Sequence, residues 1–172
     1  MGRVWAQVWV WTERLLEVVI SLCLLAMVTV TVIDVAGRYL FNAPLSGGYE
    51  ISEILMGLTV FAALPLASRA ESHLAIGLLT DGLHGSARRW HRIAILAVSA
   101  AGLGYIGWRM SVQAMIVKGS MASTGSLQIP IWPVATAMAV LGWLSCLVTL
   151  ALLARALAGL DREAHAARGS LE

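Results

Sequence analysis

Apolar residues along this chain fall into four long runs, over 15–36, 49–68, 93–117 and 131–153, separated by short polar stretches. Each is close to the 20 or so residues that a helix needs to cross a hydrocarbon layer of roughly 30 Å. The first run carries Glu17 at its start and one acidic interruption near its end, Asp34, and the second has no charge after Glu53. The third holds Arg109, and the fourth has no charge at all. Alternation of the kind that marks barrel strands is missing from these runs. A helix, by contrast, satisfies its backbone groups within the segment, as lipid requires. The pattern predicts an all-α membrane protein with four transmembrane helices in a single membrane domain over 1–172.

The connections are short. The longest, over 69–92, is too small to fold as a soluble domain by itself. Within it Leu74, Ala75, Leu78, Leu79 and Leu83 recur at helical spacing, with Thr80, Asp81 and the Arg88–Arg89 pair displaced from them. That spacing predicts a short amphipathic helix over 72–84 lying in the membrane interface. The first run is too long for the apolar core of a signal peptide and is flanked by Glu13 and Glu17, so it is expected to remain as a span.

Composition agrees with the pattern. The chain is 59% hydrophobic and 13% charged, with a mean hydropathy of +0.79. A soluble domain carries about 25% charge, so this one cannot cover a globule with polar side chains. The formal net charge of +2 gives no reason to expect a nucleic-acid partner. Placement of the charges matters more than their sum. Arg3, Arg14, Arg69, Arg88, Arg89, Arg92, Arg155, Arg162 and Arg168 fall on one side of the four spans; Arg38 and Lys118 belong to the other, with Arg109 inside the third span nearer that same side. Positive residues stay inside, so both termini are expected in the cytoplasm of a multi-pass protein. Cys23 and Cys146 both lie in apolar runs, which excludes a disulfide scaffold or a cysteine-rich metal site.

Each charge near a span needs a reason, because ionisable groups inside a bilayer are costly. Asp34 and Arg38 are spaced i, i+4 and can pair on one helix face. Glu50 and Glu53 open the second span at the same end, and the turn-forming residues 42–48 can bring Arg38 toward them. This cluster reads either as an ion or proton site or as an ion-pair clasp at headgroup level; its mixed charge and shallow depth favour the clasp. Arg109 can snorkel to the outer interface or meet a carboxylate or helix end of another subunit. Ala97/Ala101, Ala100/Gly104, Gly107/Ser111 and Ala135/Ala139 are small pairs four apart that permit close helix approach. Pro130 and Pro133 suit the first turn of the fourth span, and Pro65 is expected to bend the end of the second. His73, His84, His91 and His165 all fall in loops or tails, so facing haem ligands within the bundle are missing. No nucleophile triad, metalloprotease motif or phosphate loop is found. An enzyme is not expected, nor a cofactor or metal.

Several short stretches, taken in order, resemble one family. They are Arg38-Tyr39-Leu40-Phe41-Asn42-Ala43-Pro44, then Gly48-Tyr49-Glu50 with Glu53, then Arg69 with His73-Leu74-Ala75-Ile76. Residues 124–133, from Thr124-Gly125-Ser126 through Pro130-Ile131-Trp132-Pro133, complete the set. The chain resembles the small four-span membrane subunit of tripartite ATP-independent periplasmic (TRAP) transporters. The resemblance implies a bacterial inner-membrane location, a large multi-span partner that carries substrate and sodium sites, and a periplasmic binding protein that delivers an organic acid. It implies a scaffold role for this chain, with Asp34, Arg38, Glu50, Glu53, His73, Arg109, Pro130 and Trp132 as structural or interface candidates. Two rival readings remain. A stand-alone proton-coupled exporter needs an acid deep in a span, and Glu53 is near an end. A haem or quinone anchor of a respiratory enzyme needs histidines that the spans lack.

Overall fold

The computed structural model describes residues 2–80 and 86–158, with side chains over 9–69 and 90–158. Four helices account for most of them: α1 Gly2–Phe41, α2 Gly48–Thr80, α3 Ser86–Gly119 and α4 Trp132–Ala158. All four contain a stretch long and apolar enough to cross a membrane: Trp9–Phe41, Gly48–Arg69, Trp90–Gly119 and Trp132–Ala158. The helices overrun the expected spans because a helix stops where its backbone is broken, not where the hydrocarbon ends. Asn42, with φ of 48°, breaks α1.

One expectation is left unconfirmed and one needs correction. A separate interfacial helix over 72–84 is not confirmed: residues 72–80 continue α2 without interruption, and 81–84 lie outside the described residues. Pro130 does not open the fourth helix. It stands two residues before α4, paired with Ser123 in an isolated antiparallel bridge, while Pro133 occupies the first turn. Pro65 lies inside the continuous α2 and is almost fully buried.

Polar side chains within the spans turn back on their own helices. The hydroxyls of Ser21, Thr29, Thr31, Thr59, Ser111 and Thr149 each donate to the carbonyl four residues earlier, at 2.7–2.9 Å. Such bonds let Ser and Thr sit in apolar surroundings without an orphaned donor.

Packing follows the order α1–α2–α4–α3. α4 lies between α2 and α3, whereas α1 rests chiefly on α2. The core therefore runs along α4, whose buried residues are Ala135, Ala139, Gly142, Ser145, Cys146, Val148, Thr149 and Ala156. This is the uncharged fourth run of the sequence, and small side chains line it. On the α3 side the backbones touch: a Cβ on Gly142 would lie 3.2 Å from the Gly107 Cα. Next to this point the Trp143 indole N–H donates to the Ser111 hydroxyl at 3.1 Å. One turn further the Cys146 thiol donates weakly to the Ala100 carbonyl, at 3.6 Å. On the α2 side Gly57 makes room for the end of Met138. With no water to drive apolar faces together in lipid, this close backbone approach is the main source of cohesion.

Candidate functional site

The α1–α2 and α3–α4 connections meet at one end of the protein and gather five of the eight residues singled out in the sequence. Asp34 sits two turns before the end of α1. Its Oδ2 accepts from Arg38 Nη2 at 3.0 Å, and its Oδ1 accepts from the Leu45 backbone N–H at 2.9 Å. The chain reaches Leu45 by folding back on α1, where the Ala43 N–H donates to the Gly37 carbonyl at 3.0 Å. A Cβ at Gly37 would lie 2.6 Å from the Ala43 carbonyl oxygen, so this return path requires glycine. Gly47, at φ 84°, completes the turn, in the left-handed region where side chains are strained.

Glu50 stands in the first turn of α2, where the helix dipole favours a negative charge. Its carboxylate reaches across to the α3–α4 loop and accepts from two successive backbone amides, Ser126 at 2.6 Å and Leu127 at 3.1 Å. The loop is built for this. The Thr124 N–H donates to the Ile129 carbonyl at 2.9 Å, and the Ile129 N–H donates to the Thr124 hydroxyl at 3.1 Å. The Gln128 side chain donates to the Gly125 carbonyl at 3.1 Å, which leaves the amides of 126 and 127 pointing outward from the turn. Leu127 then covers Gly47, so the two loops interlock by packing as well as by hydrogen bonds. Behind them Lys118, in the last turn of α3, lies over the Trp132 ring at 5.5 Å from its centroid.

The structure thus separates the three carboxylates that the sequence pattern grouped. Asp34 pairs with Arg38, but Glu50 finds backbone amides instead of Arg38, and Glu53 is exposed. Arg109 is exposed on α3, and Pro130 lies in the loop bridge. His73 is in the helical continuation of α2, with its side chain outside the described residues. Sequence reasoning missed the partners of Glu50, although Thr124-Gly125-Ser126 is a turn signal that could have marked them. It also missed a tie at the opposite end, where Arg69 pairs with Glu13 and lies over the Trp9 ring.

Chemically this is a cap. Both oxygens of Asp34 and of Glu50 are taken up by donors within the chain. Among the described residues no group of three or more His, Cys, Asp or Glu side chains comes together to hold a metal ion.

Four long apolar helices held by small-residue seams and closed by interlocked loops define an integral membrane protein of the helical-bundle class. Its sequence matches, over residues 27–159, the family described as "Tripartite ATP-independent periplasmic transporters, DctQ component". The match covers most of the chain, which belongs to this family of small TRAP transporter permease subunits. That is a family of transporter components, not of enzymes. Among curated proteins no individual relative matches.

Proposed function

We propose that this chain is the fixed accessory subunit of a sodium-coupled importer of organic acids, holding a large transport subunit in the membrane while a periplasmic binding protein delivers substrate. Family membership supplies the transporter context. The observation that carries the scaffold role is the state of the acidic groups. A coupled carrier needs an ion or proton site near the membrane midplane, often at a broken helix. Here Asp34 and Glu50 are near one end, with their oxygens engaged, and α4 at the centre of the packing is uncharged between Trp132 and Leu153. The Asp34–Arg38 pair and the Glu50 bridge act as clasps that hold the two loops in register. Both termini face the cytoplasm of the inner membrane, from the nine-to-three division of Lys and Arg.

Reconstitution tests the reading. The purified chain in liposomes with a sodium gradient shows no uptake of organic acids, and addition of the large subunit and the binding protein brings uptake. Gradient-driven uptake by this chain alone refutes it and favours the exporter. A haem absorbance spectrum in the purified chain would favour the respiratory anchor.

A further inference from the structure

Arg109 is a cation at hydrocarbon depth on the outside of the protein. At 1.5 Å per residue, the path from Arg92 to Lys118 along α3 is roughly 39 Å, about 9 Å more than the hydrocarbon thickness. Centred in the bilayer, this places the Arg109 Cα roughly 9 Å inside the hydrocarbon edge. Its side chain is exposed and makes no ion pair or hydrogen bond among the described residues. Gln113, one turn on and on the same face, is exposed too. The face continues through Tyr105 and Gly102, where a Cβ would meet nothing within 4 Å, to Val98, which is 74% exposed.

The two ends of the helix row differ. The outward residues of α1 include Leu15, Val18, Leu22, Leu25, Val28 and Val32, a surface suited to lipid tails. The outward face of α3 instead presents a guanidinium and an amide beside a glycine, a surface suited to a polar protein partner that approaches closely. From this we infer that the outward face of α3 from Val98 to Gln113 docks a transmembrane helix of the large subunit, and that this helix carries a carboxylate at the depth of Arg109. The inference rests on the accessory-subunit reading and adds to it which face is used and what charge meets it. A guanidinium offers paired donors in a fork that a carboxylate matches, and the surrounding lipid strengthens the pair.

The test uses the assembled transporter, with Arg109→Leu, Arg109→Lys and, in the chain that keeps Arg109, a photo-crosslinking residue at Val98. Arg109→Leu reaches at least the unaltered abundance in membranes when the large subunit is omitted, since a charge has left apolar surroundings. The same variant recovers the large subunit with affinity reduced by roughly 30-fold or more, the factor that goes with loss of one member of a buried pair. Arg109→Lys retains more than Arg109→Leu, and the Val98 probe crosslinks to the large subunit. Unchanged recovery with Arg109→Leu overturns the inference, as does a Val98 crosslink to lipid or to a second copy of this chain. So does failure of Arg109→Leu to accumulate alone, which would assign the charge to this chain's own fold. If the unaltered chain recovers no large subunit, the accessory reading falls first; if it does and Arg109→Leu matches it, only the docking face falls.

Discussion

Replacing Gly142 probes the contact on which the α3–α4 seam depends. A Cβ there would lie 3.2 Å from the Gly107 Cα and 3.5 Å from the Gly107 nitrogen, and both are backbone atoms that cannot rotate away. Ordinary carbon contacts are at about 3.5–4.0 Å, so alanine forces the helices apart by roughly 0.3–0.8 Å. Overpacking of this kind costs about 1–3 kcal/mol, while alanine recovers about 1 kcal/mol of helix propensity over glycine. Gly142→Ala is therefore close to neutral or mildly destabilising. Gly142→Leu adds three further carbons at the same point and takes the upper part of the range, a net loss of about 2 kcal/mol or more. Gly102, with open space around it, is the internal control: Gly102→Ala meets nothing and gains up to about 1 kcal/mol. Thermal unfolding of the purified chain in detergent, followed by far-UV circular dichroism, reads the series. At about 2–4 °C per kcal/mol, Gly142→Leu melts roughly 4–8 °C lower, Gly142→Ala stays near the unaltered protein, and Gly102→Ala equals or exceeds it. A Gly142→Leu protein with an unchanged melting temperature would refute backbone contact at this seam, and with it the assignment of the core to α4.

Three further outcomes are expected. Glu50→Gln removes the charge that accepts from Ser126 and Leu127, so hydrogen exchange at those two amides quickens while exchange within α4 is unchanged; equal rates would show that the bridge does not order the loop. Asp34→Ala lowers the amount of assembled subunit more than Arg38→Ala does, because Asp34 holds both Arg38 and the Leu45 N–H while the exposed Arg38 contributes at most about 1 kcal/mol. Neither variant alters the sodium dependence of uptake, and a change there would favour an ion site at this corner. Reporter tags on either terminus are reached only from the cytoplasmic side, and a periplasmic signal from either would reverse the orientation.

The number and order of the helices were legible because membrane spans are set by local apolar length, which a sequence displays directly. The core was partly legible as well: the uncharged fourth run became α4, and the Ala135/Ala139 pair lies buried along it. Which small pairs face inward was not. Ala100 is buried against α4, yet Ala97 and Ala101 on the same helix are exposed. In lipid both faces of a helix are apolar, so the alternation that betrays burial in a soluble protein carries little information. Glu50 illustrates the other limit. Its partners are 76 and 77 residues away, and only the folded path of the α3–α4 loop places their amides beside it. Arg38 was the nearer opposite charge in the sequence, but Asp34, one turn back on the same helix, had the shorter reach.

The dominant contact order α1–α2–α4–α3, with a lesser α2–α3 contact, has a mechanical side. Neighbouring helix axes are about 8–10 Å apart, so three such steps give a breadth of up to about 30 Å. A bundle of that breadth resists rocking that tips its long dimension out of the membrane plane. Tipping it by about 10° lifts one edge helix relative to the other by roughly 5 Å, and each ångström of mismatch between apolar band and bilayer costs a fraction of a kcal/mol. On the proposed accessory role, any part of the large subunit that shifts along the membrane normal would exert torque on the frame beside it. Docked through α3 as inferred above, the bundle would work as an outrigger, with α1 as the float farthest from the load.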